Sequence, residues 1–136
     1  MPYKTVGNKE VHESMNVNES AENYLETILI LSKRLSDVRS VDIANELGFK
    51  KSSVSIAMKN LREKKHIVVS DSGFITLTES GRNIAEMIYE RHLFFSNWLM
   101  RLGVSEQTAM EDACKIEHVL SGESFEAIKR HINAED

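Results

Sequence analysis

The sequence predicts a mainly α-helical chain in which a winged helix-turn-helix unit is followed by an all-helical unit. Three observations carry this. Helix formers dominate most windows of the 136 residues, and only one Pro occurs. Between Ser40 and Lys65 a short helical segment, a Gly and a second helix rich in Ser and Lys follow one another, the layout of a helix-turn-helix. Directly afterwards, in HIVVSDSGFITLT, the hydrophobic period drops to two, which is the pattern of a β-hairpin.

Residues 1–19 show no clear period and read as a loose or extended arm. In SAENYLETILILSKRL the apolar positions Tyr24, Leu25, Ile28, Leu29, Leu31 and Leu35 make a helix stripe over Ser20–Leu35, with Ser20 as N-cap and Glu22 in the first turn. Ser40 is expected to cap a second helix through VDIANEL, which Gly48 ends. SSVSIAMKNLREKK then resumes helical spacing at Val54, Met58 and Leu61. The hairpin turns at Asp71-Ser72-Gly73, a wing with Lys64 and Lys65 at its root. Thr78 caps a long helix that stops at Gly103; Ser105 and Ser121 begin two more, the first of them carrying CKIEH. The expected organisation is an arm (1–19), a winged helix-turn-helix DNA-binding domain (20–78) and a helical domain (79–136).

The polar start MPYKTVGNKE has no signal-peptide stretch, and no apolar run is long enough for a membrane span, so a cytoplasmic address is expected. A solitary Cys excludes an intrachain disulfide and suits a reducing compartment.

The net charge of −4 argues against unselective coating of nucleic acid. It conceals a basic segment, Lys50 to Lys65, in which six Lys and Arg face the single acid Glu63. A charge run alone is usually a solvated face; here the Gly turn, the hydroxyl-rich second helix and the wing coincide with it. Ser52, Ser53 and Ser55 suit phosphates and base edges at the start of a recognition helix, and Lys50, Lys51, Lys59, Lys64 and Lys65 supply salt-dependent affinity for double-stranded DNA. No Arg or Asn stands near the start of that helix to pair bidentately with guanine or adenine, so the operator is not disclosed.

Cys114, Glu117 and His118 stand at i, i+3 and i+4, so on a helix all three share a face. Thiolate, carboxylate and imidazole together suit Fe(II), Zn(II) or Co(II) better than Ca(II) or Mg(II). The plainer alternative is a buried Cys beside an exposed Glu and His. His92 falls on the apolar stripe Ile84, Ile88, Phe95, Leu99 and Leu102, where an imidazole needs a hydrogen bond or a ligand. Asn23 and Glu26, three apart on the first helix, offer two oxygens, though such residues are ordinary near a helix start.

The helix with Glu26, the winged motif with SSVS, the long helix with ERH at 90–92 and CKIEH at 114–118 together resemble the diphtheria-toxin-repressor family of metal-dependent transcription regulators, over about residues 20–132. The resemblance implies a homodimer joined through its C-terminal helices, with metal held between the first helix and the later ones. Glu26, His92, Glu117 and His118 match ligand positions of that family. Cys114 stands where the iron-responsive branch has Cys and the manganese-responsive branch Glu; Asn23 replaces a Met or Asp ligand. Ser96 and Met110 replace residues of the iron branch's ancillary site, and the expected absence of a further C-terminal domain suits the manganese branch.

These residues imply a metal-activated repressor of metal-ion homeostasis, with Fe(II) placed ahead of Mn(II) and with Zn(II) or Co(II) binding in vitro. Its dimer would place two recognition helices on a palindromic operator. Phe94, Phe95, Trp98 and Leu99 are the candidates for the apolar core that supports dimerisation. Two alternatives remain at this point: a winged-helix regulator with Cys114 as redox sensor, and a small metalloenzyme built on Cys114, Glu117 and His118.

Overall fold

A computed structural model describes residues 17–134; the expected arm falls on residues 1–16 and otherwise on the first turn of a helix, so most of it lies outside the described residues. The order is α1 (Val17–Arg34), α2 (Ser40–Leu47), α3 (Lys51–Glu63), β1 (Ile67–Val69), β2 (Ile75–Leu77), α4 (Glu79–Arg101), α5 (Glu106–Ile116) and α6 (Gly122–Ala134). The chain divides into two compact units, one up to Met87 and one from Ile88. Among the described residues no helix is long and apolar enough to cross a membrane.

In the first unit α1 begins at Val17, nearly a turn before the expected Ser20 cap, with Glu19 in its first turn. Tyr24, Leu25, Ile28, Leu29 and Leu31 are buried, whereas Leu35 lies past the helix and is 39% exposed. The α2 cap is also displaced: Arg39 is the N-cap and Ser40 the first helical residue. The backbone N–H of Arg39 donates to the Asp42 carboxylate at 2.9 Å, the half of a capping box in which the third helical residue reaches back to the N-cap, and no serine side chain caps the helix. Gly48 then leaves the helix at φ 70°, and α3 buries Val54, Met58 and Leu61 as their spacing predicts.

β1 and β2 pair antiparallel with Ile67 opposite Leu77 and Val69 opposite Ile75. Gly73 turns at φ 87°. Ile75 N–H also donates to the Val38 carbonyl at 2.7 Å, tying the wing to the α1–α2 connection. The guanidinium of Arg39 lies 4.5 Å from the centre of the Phe74 ring, a second tie. At the wing root Lys65 adopts φ 64°, and its carbonyl accepts the Thr78 hydroxyl at 2.7 Å. Thr78 caps α4 as expected, accepting Gly81 N–H at 3.2 Å.

The second unit comprises the later part of α4 with α5 and α6. Ser105 and Ser121 accept N–H groups of Thr108 and Ser124, the caps their positions predict. Phe95, Ala113 and Phe125 form its core, with Phe94, Trp98, Ile116, Leu120 and Ile128 packed around them. Phe94 and Phe95 meet the Phe125 ring at centroid distances of 5.6 and 5.8 Å, both edge-on. Phe95 is therefore interior to the protomer, and Leu102, expected on the apolar stripe, lies past α4 and is 64% exposed.

Candidate metal centre and nucleic-acid interface

α5 ends at Ile116, so CKIEH straddles a helix end instead of lying within a helix. Glu117 keeps helical dihedrals, and its N–H still bonds the Ala113 carbonyl at 3.0 Å. His118 sits in the turn that follows. That turn is held from α4: Arg91, 5% exposed, donates to the carbonyls of Glu117 at 3.2 Å and Leu120 at 2.7 Å. Its guanidinium also lies 5.2 Å from the Phe125 ring centre.

One carboxylate thereby meets two imidazoles. Glu117 Oε2 is 2.9 Å from His92 Nδ1, and Glu117 Oε1 is 3.3 Å from His118 Nε2. The side chains of His92, His118 and Glu117 are 1, 2 and 0% exposed. Cys114 is buried one helical turn before Glu117. Three polar groups this deeply buried need partners that share charge.

Imidazole and carboxylate are the donor types that a divalent transition ion takes. With bonds of about 2.1 Å, neighbouring donors in tetrahedral or octahedral coordination stand roughly 3.0–3.4 Å apart. The two nitrogen–oxygen distances here, 2.9 and 3.3 Å, are those of a hydrogen bond and an ion pair, with a different carboxylate oxygen facing each imidazole. The buried Cys114 thiol, one turn away on the chain, is the softer residue type nearby in sequence.

In the first unit α1 places Asn23 and Glu26 one turn apart, 3 and 0% exposed. Thr27 donates to the Asn23 carbonyl at 2.8 Å, and the side-chain Oδ1 of Asn23 is buried without a hydrogen-bond partner among the described residues. These are not the surface or capping residues their place near a helix start suggests. Beside them burial pushes the Tyr24 phenol up to about 12, so it stays protonated at neutral pH.

On α3 and at its two ends the residues expected to meet DNA face outward. Lys50, Lys51, Ser52, Ser55, Lys59, Lys64 and Lys65 are exposed, and Ser53 is half-buried. A groove of about 170 Å³ runs beside this face, lined by Ser40, Ser55, Met58, Lys59, Arg62 and Val69. Two residues here escaped the sequence reading. Arg91 is one; its signal was an Arg beside a histidine on an apolar helix. Ile56, exposed at 63% on α3, is the other; its signal was an Ile off the Val54–Met58–Leu61 stripe.

Residues 16–72 match the model of the iron dependent repressor N-terminal DNA binding domain, and residues 78–134 that of the iron dependent repressor metal binding and dimerisation domain. An uncharacterised HTH-type transcriptional regulator of Methanocaldococcus jannaschii is 35% identical, over 83% of this chain and 92% of its own. The transcriptional regulator MntR of Escherichia coli is 32% identical, over 90% of this chain and 79% of its own. A manganese-dependent transcriptional repressor solved in complex with manganese superposes at a TM-score of 0.74 with 26% identity, over 83% of this chain. This chain spans 52% of that structure's length.

Proposed function

The chain belongs to the iron-dependent repressor family, and on that footing we propose that His92, Cys114, Glu117 and His118, together with Asn23 and Glu26 of α1, hold its activating divalent ion. It is a metal-dependent DNA-binding transcriptional repressor and not an enzyme, with Fe(II) or Mn(II) as its metal and double-stranded DNA and a second copy of itself as partners. The observation that carries the ligand set is the buried Glu117 carboxylate in contact with two buried imidazoles.

A bound divalent ion supplies a positive centre that several buried donors share. The protein's residues do the rest. Asn23 and Glu26 ride on the helix whose buried stripe packs against α2, α3 and β2. Drawing them into a common centre with His92 and Glu117 fixes the recognition helix, so that residues 20–78 read DNA while residues 79–136 hold metal and dimerise. Lys50, Lys51, Lys59, Lys64 and Lys65 contact phosphates, and Ser52, Ser53 and Ser55 reach phosphates or base edges. Phe94, Trp98 and Leu99 back the face that meets the second copy, with Phe95 in the core behind it. Cys114 tilts the site towards iron. At 3% exposure its thiol is shielded from the oxidants that a redox sensor must meet. A DNA partner and the lack of a spanning helix among the described residues fit a cytoplasmic address.

Duplex DNA selected anaerobically with Fe(II), with Mn(II) and with chelator tests the reading. Enrichment of a palindrome only with metal is expected, and Glu117→Gln should lose that enrichment while its circular dichroism stays that of the parent. Equal enrichment in chelator would refute metal activation.

A further inference from the structure

The outward face of α3 carries one residue that electrostatics leaves unexplained. Val54, Met58 and Leu61 are buried and centre the inward face of the helix. At about 100° per residue, Ile56 stands roughly opposite them, pointing straight away from the core. It is 63% exposed, more than Leu35, Val41, Val68 or Met87, the other exposed large apolar residues among the described residues of the first unit. A single exposed Ile is ordinary on a protein surface. This one is ringed by Ser52 and Ser55 and by Lys59, all exposed, on the third helix of a segment that matches a DNA-binding domain.

From this placement we infer that Ile56 reads sequence by packing against the 5-methyl group of a thymine in each operator half-site. The inference rests on the repressor reading above and deepens it. In the major groove the thymine methyl is the apolar feature presented by the base pairs, and A·T and T·A pairs differ there by its position. A recognition helix contacts base edges through its N-terminal part, and Ile56 lies in the second turn of α3. The same turn has no Arg, Asn or Gln for a bidentate base contact; the exposed Asn60, one turn further from the helix start, is the nearest such residue on this face. Ser52 and Ser55 accept or donate to either strand, and Lys59 binds phosphate as a point charge, so apolar readout by Ile56 supplies selectivity that these neighbours lack.

Deoxyuridine tests this directly, because it removes the methyl and keeps Watson–Crick pairing. Duplexes selected from a random pool by the full chain loaded with Mn(II) are remade with deoxyuridine replacing each thymine in turn. Burial of one methyl corresponds to a loss of about four-fold in affinity per half-site. That loss is expected at one thymine in each half-site with the parent protein, and Ile56→Ala should bind the thymine and deoxyuridine duplexes equally there. The exposed position and the helix-forming alanine keep that variant folded. Silent deoxyuridine at every thymine, with metal-dependent binding retained, would overturn the role of Ile56 and leave the repressor standing. Full sensitivity persisting in Ile56→Ala would overturn it too. A pool from which metal enriches nothing would sink both.

Discussion

Arg91→Met keeps the length of the side chain and removes its donors. The wild-type guanidinium makes hydrogen bonds at 3.2 and 2.7 Å to two carbonyls of the turn that carries His118. Hydrogen bonds from a charged group contribute about 1.5–3 kcal/mol each, or roughly 3–6 for the pair. That range is already net of taking the cation out of water, and Met keeps the packing, so a loss near its lower end, about 3 kcal/mol in unfolding stability, is expected. Function should suffer separately. Glu117 and His118 lose the strut that aims them, and removal of such supporting partners typically costs roughly 10–100-fold in metal affinity. Thermal unfolding with and without Mn(II), and competition against a chromophoric chelator, measure the two effects. A variant of lowered stability that binds Mn(II) as tightly as the parent would refute the positioning argument, since the turn would then hold its ligands without Arg91.

Gly81→Ala would drive a Cβ into the His66 carbonyl, overlapping its oxygen and standing 2.9 Å from its carbon. Backbone yields poorly, so overpacking of about 1–3 kcal/mol outweighs the roughly 1 kcal/mol of helix propensity gained, and the melting temperature should fall. Lys65→Gly should do the reverse to stability, because the φ of 64° costs an L-residue about 1 kcal/mol. The same change should weaken DNA binding and flatten its salt dependence by about one unit of slope, readable by titrating binding against salt. In Cys114→Ser a soft thiolate gives way to a hydroxyl, so Zn(II) affinity should drop on the order of tenfold more than Mn(II) affinity; an unchanged ratio in chelator competition would remove the thiol from the ligand set.

Much of this was legible because its causes are local. Hydroxyl caps at Thr78, Ser105 and Ser121, the glycines at 48 and 73, and the Val54–Met58–Leu61 stripe all act within one or two turns of chain. The misreadings have causes that lie off the local pattern. Asp42 accepts the Arg39 N–H, and the helix starts at Ser40 with Arg39 as its N-cap. Arg91 holds a turn more than twenty residues ahead of it, so α5 ends before His118 although the spacing of CKIEH reads as continuous helix. Val38 accepts from Ile75 across a comparable separation. As for the site, residue types pointed to Cys114, Glu117 and His118, but a carboxylate shared between two imidazoles needed the approach of α4 to α5, which spacing does not encode.

α1 explains how metal and DNA can answer to one another. Its sequence interleaves two sets of residues. Tyr24, Leu25, Ile28 and Leu29 are core, with Tyr24 edge-on to Phe49 at 6.1 Å, just before the recognition helix. Asn23 and Glu26 are buried polar groups between them. A unit concerned only with DNA gains nothing from a fully buried carboxylate, which is costly to remove from water. Under the proposed ligand set that cost becomes the switch. In that set Glu26 and Glu117 would both be ligands, so a cation would offset the charge of two buried carboxylates at once. Carrying a two-state equilibrium from mostly inactive to mostly active takes about 5.5 kcal/mol of differential binding. A neutral hydrogen bond contributes well under half of that, so under the proposed ligand set the coupling would draw on neutralising two buried carboxylates. The same free energy then acts in both directions: operator DNA must tighten metal binding by the factor by which metal tightens DNA binding.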